Sequence, residues 1–220
     1  MFRGVARNTR FHDRADAGRQ LAVRLRHYAN RPEVVVLGLP RGGVPVAYEV
    51  AQALNASLDI CLVRKLGVPD QPELAFGAIA SGGVQVLNRD VLDERAIAGS
   101  AIDAVVAQEL RELQRRDRAY RGDRPPPAIA GRVVILVDDG MATGATMRAA
   151  ISVIGPQAPA RLIVATPVAP PSTCRDLSLA VDEVVCVTMP ASLHAIGSWY
   201  ADFSQTTDAD VRHLLAQFHG

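Results

Sequence analysis

This chain has little cysteine, almost no net charge and no long apolar run, and each shortage removes a class of function. Three cysteines in 220 residues, Cys61, Cys174 and Cys186, lie far apart and form no C-x-x-C pair. They exclude a disulfide framework and a sequence-local zinc or redox motif, and Cys61 and Cys186 sit in apolar strand-like runs as small core residues. A net charge of +1 gives no overall pull toward nucleic acid or a membrane surface. The five histidines, His12, His27, His194, His213 and His219, show no ligand spacing. No apolar stretch is long enough to span a bilayer, and Met1 to Val5 does not open a signal-type hydrophobic region. A soluble, cytoplasmic protein is expected. Three familiar site signatures are missing as well: G-x-x-x-x-G-K-[ST], G-x-G-x-x-G after a strand, and the G-x-S-x-G elbow.

What is present is a core. Hydrophobic residues make up 49% of the chain, enough to fill one domain. Apolar runs at Val34–Leu39, Asp59–Val63, Val133–Val137, Leu162–Thr166 and Glu183–Val187 read as strands, the continuous ones as strands covered on both faces. Helical patterns separate them, at Ala15–Tyr28, Pro45–Leu54, Gly144–Gly155, Thr173–Leu179 and from Asp208 onward. Strands alternating with helices predict an α/β fold with a parallel sheet flanked by helices. Ala78–Ala80 and Val84–Leu87 read as two short strands around Ser81-Gly82-Gly83. A long helix is expected across Val91–Tyr120, its stripe of Ile102, Val105, Val106, Leu110 and Leu113 facing the body or serving a homodimer contact. The arginines from Arg111 to Arg124 alternate with Glu109, Glu112, Asp117 and Asp123, the pattern of a solvated face laced with ion pairs. Residues 1–220 are expected to form a single domain. Its core would run from about 34 to 187, with a hood from 1–30 and 188–220 and a helical insertion at 91–124.

The most informative segment runs from Val133 to Met147. A buried strand ends in Asp138 and Asp139, followed by Gly140 and Met141 and then by Ala142-Thr143-Gly144-Ala145-Thr146 at the start of a helix. Backbone N–H groups at a helix N-terminus and two hydroxyls suit one phosphate, and the neighbouring carboxylates suit a diol. A phosphate beside a diol is a ribose 5-phosphate. The order of strand, acid pair and A-T-G-A-T resembles the phosphoribosyl pyrophosphate (PRPP) motif of the type I phosphoribosyltransferases. The resemblance covers about Val34 to Val187. It implies the family's Rossmann-like fold and transfer of ribose 5-phosphate from PRPP to a nitrogen acceptor, a nucleobase by class, with release of pyrophosphate.

Other segments take roles from the same resemblance. Gly38-Leu39-Pro40-Arg41-Gly42-Gly43-Val44-Pro45 follows the first strand and opens a helix. Paired glycines admit an anion close to the backbone, and Arg41 adds a planar multi-donor cation. The segment resembles the family's pyrophosphate loop. Arg64 and Lys65 end a strand before a Gly/Pro-rich stretch, Val68 to Phe76, that suits a mobile lid. The resemblance gives Lys65, with Arg64, a contact to pyrophosphate, and Glu73 is a candidate to handle the proton of an incoming base. Magnesium would be held mainly by substrate oxygens and water, with Asp138 and Asp139 nearby. Trp199, Tyr200 and Asp202 are candidates for acceptor binding, the rings by stacking. Members acting on 6-oxopurines carry an Asp in the phosphate loop where this chain has Ala142. That departure moves the chain toward the adenine, orotate and other members without choosing an acceptor. A regulator of the same fold, sensing PRPP and binding nucleic acid or a protein partner, is the alternative.

Overall fold

The computed structural model describes residues 10–68, 71–95 and 98–219. Its centre is a five-stranded, wholly parallel sheet built from β1 (Val34–Gly38), β2 (Ser57–Ile60), β6 (Val133–Val137), β7 (Arg161–Val168) and β8 (Glu183–Thr188), in the order β2-β1-β6-β7-β8. The unbroken apolar runs follow from burial on both faces. Val34, Val36, Ile135, Val137 and Ile163 point into one hydrophobic cluster. Val35, Leu37, Val134, Leu136 and Val164 point into the other. That alternation is the pleat of a strand with helices above and below.

On the first face lie α1 (Arg14–Leu25) and α2 (Gly43–Leu54), packed together through Leu21, Leu25, Val46 and Val50. Asp13 caps α1, its carboxylate accepting from the Asp16 amide at 2.8 Å. On the opposite face α5 (Ala145–Ile154) buries Met147, Ala150, Ile151 and Val153, and α6 (Pro171–Leu177) buries Cys174 and Leu177. The chain leaves β1 toward β2 on one side and toward β6 on the other. The carboxyl ends of β1 and β6 therefore flank the topological switch point, where open α/β sheets hold ligands.

Two regions differ from the sequence reading. The strand expected at Asp59–Val63 stops at Ile60, and Val63 begins a second, antiparallel sheet of β3 (Val63–Val68), β4 (Gln71–Ala80) and β5 (Gln85–Leu87). The stretch expected as a lid is thus largely a hairpin. Leu66, Phe76 and Ile79 are fully buried and fasten it to the body, while bulges at Gly67 absorb its irregular register. Pro69 and Asp70 lie outside the described residues, as does the side chain of Glu73. The single long helix expected over Val91–Tyr120 is two, α3 (Arg89–Glu94), capped by the Asn88 side chain, and α4 (Gly99–Arg121). The apolar stripe of α4 is spent internally. Leu113 is buried, and Ile102, Val105, Val106 and Leu110 pack on the main cluster.

Arg121, at the end of α4, is 3% exposed. Its guanidinium donates to Asp59 at 3.1 Å, to the Ile60 carbonyl at 3.1 Å and to Asp117. The arginine-rich helix is therefore tied to β2 by a buried ion pair. Arg115 and Arg116 pair with Glu112 at the surface, at 2.9 and 2.7 Å. The last helix, α7 (Asp208–His219), packs on α2 and α4. Among the described residues no helix is long and apolar enough to cross a membrane.

Candidate active site at the switch point

The loop after β1 approaches the end of β6 more closely than any side chain would permit. A Cβ at Gly42 would lie 2.0 Å from Oδ2 of Asp139, and one at Gly43 would lie 2.6 Å from the Val137 carbonyl and 2.9 Å from Cα of Asp138. The paired glycines thus let the loop nest against the acid pair, a requirement the sequence reading assigned to an anion alone. The Gly43 amide donates to the Leu39 carbonyl at 3.0 Å, and the Pro40–Arg41 peptide is cis. At Gly43 the obstacle is backbone, which cannot rotate away. Gly43→Ala is expected to lower stability by about 2 kcal/mol in urea unfolding, the cost of overpacking a close contact. An unchanged midpoint would show that the loop can back off.

The two acids, alike in sequence, are unlike in structure. Asp139 is buried, and its Oδ2 accepts from Nε of Arg14 at 2.8 Å, both side chains being 12% exposed. Arg14 also donates to the Ser204 carbonyl at 2.6 Å and lies 3.9 Å over the Phe203 ring. Tyr200 donates its hydroxyl to the Asp139 carbonyl at 2.5 Å. Asp138 is half-buried, and its Oδ1 accepts from the Asp139 amide at 2.9 Å. Burial first, and then the charge of Asp139, push the Asp138 carboxyl well above the ordinary carboxylate range.

The phosphate-loop segment turns into α5 at Gly144, whose φ of +74° is left-handed and favours glycine. A Cβ there would also meet Thr173 at 3.0 Å. Ala142, Thr143 and Thr146 are exposed at the helix start, and the Thr143 hydroxyl accepts from the Ala145 amide at 3.4 Å. The loop is tied from behind, the Thr173 hydroxyl donating to the Ala142 carbonyl at 2.7 Å. Neither Arg14 nor Thr173 was found from the sequence. Each acts across a large separation, with no local pattern to mark it.

The expected cations do not sit together as one cluster. Arg41 lies 3.8 Å from Asp208 of α7, the same carboxylate that accepts the Tyr120 hydroxyl at 2.6 Å. Burial and that acceptor push the Tyr120 hydroxyl up to about 12. Arg64 pairs with Glu109 of α4 at 2.5 Å. Arg64, Lys65, Pro40 and Thr146 share the wall of one groove of about 660 Å³, closed on its far side by Val105, Gln108, Glu109 and Arg116.

The acceptor candidates fare differently. Tyr200 is 4% exposed, with ring centroids 5.4 Å from Phe11 and 4.9 Å from Phe203, so it is a packing residue rather than a stacking platform. Trp199 is half-buried against the small cluster of Phe11, Val168 and Tyr200. Asp202 is exposed, and its carboxylate accepts from the amide and hydroxyl of Ser204.

A family model described as "Phosphoribosyl transferase domain" matches residues 8–196. A Mycobacterium tuberculosis protein named "Putative phosphoribosyl transferase" is 49% identical over 209 residues, which is 95% of this chain and 47% of that protein. The chain therefore spans about half the length of the curated relatives it matches. The crystal structure of the Thermus thermophilus protein TT1426 superposes with a TM-score of 0.87 at 44% identity, covering 96% of this chain and 100% of that one. The Aquifex aeolicus protein AQ2163 shares the fold alone, with a TM-score of 0.51 at 13% identity over 84% of this chain and 78% of that one.

Proposed function

The chain belongs to the phosphoribosyl transferase domain family, and from that membership we propose that it moves ribose 5-phosphate from PRPP to a nitrogen acceptor, releasing pyrophosphate in the cytoplasm. One observation carries the reading. The acid pair ending β6, the exposed hydroxyls at the start of α5 and the Arg41-Gly42-Gly43 turn all meet at the switch point of one parallel sheet.

In this reading Ala142, Thr143, Gly144, Ala145 and Thr146 hold the 5-phosphate through backbone N–H groups and hydroxyls. Asp138 takes the ribose hydroxyls, while Asp139, neutralised by Arg14, fixes the backbone that presents it. The Arg41-Gly42-Gly43 turn receives one side of the pyrophosphate, and Arg64 and Lys65 receive it from the adjoining groove. The carbon under attack gains positive charge as the leaving group gains negative charge, so carboxylates near the sugar and cations near the diphosphate act on both at once. The donor set fits magnesium delivered with substrate. Asp138 offers a half-buried carboxylate, and the described residues hold no group of three or more His, Cys, Asp and Glu arranged around a common point. When bound, magnesium would neutralise diphosphate charge, drawing its other ligands from phosphate oxygens and water.

Calorimetric titration of PRPP with magnesium into the protein should show binding, and a panel of nucleobases should then give pyrophosphate release with one of them. A folded protein that binds no PRPP would end the proposal. A second reading has its own observation. Arg111, Arg115 and Arg118 line a shallow groove of about 510 Å³ on the outer face of α4, a surface suited to a polyanion. Binding to nucleic acid that falls steeply with salt, with no turnover on any base, would favour a PRPP-sensing regulator.

A further inference from the structure

The groove between the β3–β4 hairpin and α4 presents cations from two elements that are remote in sequence. Arg64 and Lys65 come from β3, and Arg116 comes from α4. Glu109 is the one acid among the described residues that line it, and it engages Arg64 at 2.5 Å. Arg116 is engaged by Glu112 at 2.7 Å. Both arginine side chains are about a third exposed, at 33% and 32%. Val63, Val68, Val105 and Ala149 supply apolar parts of the wall beside Gln108 and Gly67, and low-dielectric surface of that kind strengthens the field of the charges it carries. Pro40 of the loop after β1 and Thr146 of α5 also line the groove, so it adjoins both anion-binding segments.

We propose that this groove is a diphosphate site completed by Arg116 of α4, with Glu109 holding Arg64 in place until the ligand displaces it. The proposal rests on the phosphoribosyl transfer reading for the source of the diphosphate, which is the leaving group of PRPP. Planar guanidinium forks drawn from two elements match the oxygens of a diphosphate better than two ammonium groups would. Glu109 then acts as a placeholder. It keeps Arg64 extended across the groove, and it must be outcompeted, which weakens binding while fixing geometry. Arg116 is a binding residue that the loop motifs of the sequence do not contain.

The test is titration of inorganic pyrophosphate into the full chain and its Glu109→Gln, Arg116→Gln and Arg116→Lys variants, with PRPP titrated into the unmodified protein alongside. Glu109→Gln should bind pyrophosphate about fivefold more tightly, the strength of one partly exposed ion pair removed from competition. Arg116→Gln should weaken binding about tenfold, and Arg116→Lys should recover part of it, since charge returns without the fork. Tightening by an acid-to-amide change is a result that mere structural damage does not produce. Weaker or unchanged binding in Glu109→Gln, or indifference to Arg116, overturns the site. Should Glu109→Gln fail to fold, the Arg116 variants decide it. PRPP binding by the unmodified protein with pyrophosphate binding indifferent to Arg116 would sink this inference and leave the transfer reading standing. Pyrophosphate binding with the expected variant pattern but no PRPP binding would do the reverse, and binding of neither would end both.

Discussion

Asp138→Asn should reduce turnover by on the order of a thousandfold while leaving the protein at least as stable as before. The first half follows from chemistry. A carboxylate that holds the ribose hydroxyls and faces a developing cation acts most strongly in the transition state, and removing one preorganised group of that kind typically lowers rate by about 10²–10³. The second half follows from linkage. The Asp138 carboxyl is raised above its ordinary range, by burial first and by Asp139 second. A carboxyl with a raised folded pKa retains its proton in the native state when the unfolded chain has lost it. Its contribution to stability is therefore present in acid and declines as the pH climbs from about 4 through the folded value. At neutral pH the cost of holding this carboxyl at its raised pKa opposes folding, and the amide, which does not titrate, removes that opposition. Chemical unfolding of parent and variant across this pH range, beside pyrophosphate-release rates, checks both halves. A variant that is clearly less stable at pH 7, or that turns over normally, would show that Asp138 is structural rather than functional.

Arg14→Met should have the opposite signature, losing about 3 kcal/mol of stability because it leaves the Asp139 carboxylate buried without its partner. The pair is not a surface ion pair, since both side chains are 12% exposed and the guanidinium is also held by the Ser204 carbonyl and the Phe203 ring. Arg14→Met/Asp139→Asn should recover most of the loss, because no charge is then stranded, and the double-mutant cycle should return a coupling of about 2 kcal/mol. PRPP binding should stay weak in the double variant despite its restored stability, since the loop carrying Asp138 is no longer held. Urea midpoints for the four proteins decide the energetics and calorimetry the binding. A loss below about 1 kcal/mol in the single variant would place the pair with ordinary surface bridges.

The sheet was legible because burial on both faces of its central strands leaves continuous apolar runs, and five strand-like segments separated by helical spacing admit few arrangements. The ends of β1 and β6 were legible for a related reason, since chemistry placed directly after a core strand has little freedom of position. The hairpin was not, because Gly67, Pro69 and Pro72 speak for a loop in any local window. Only the burial of Leu66 and Phe76 against distant helices overrides them. Arginines were the least legible residues. Arg14 and Arg121 share their segments with many others, and what separates them is an acid 125 residues away in one case and 62 in the other. Tyr200 shows the same ambiguity in an aromatic, since its ring would suit a ligand as well as it suits Phe11.

The bridge from Arg14 to Ser204 has a consequence for timing. The two residues are 190 positions apart, and Asp139 sits between them in the chain. A nascent chain that has emerged through residue 180 already carries β6, the acid pair and the phosphate-loop segment. Its Arg14, however, has neither the Ser204 carbonyl nor the Phe203 ring to set its angle. The acid pair therefore reaches its final arrangement only after residues 203 and 204 have been made, so a chain stopped at residue 180 carries the motif without the finished pocket.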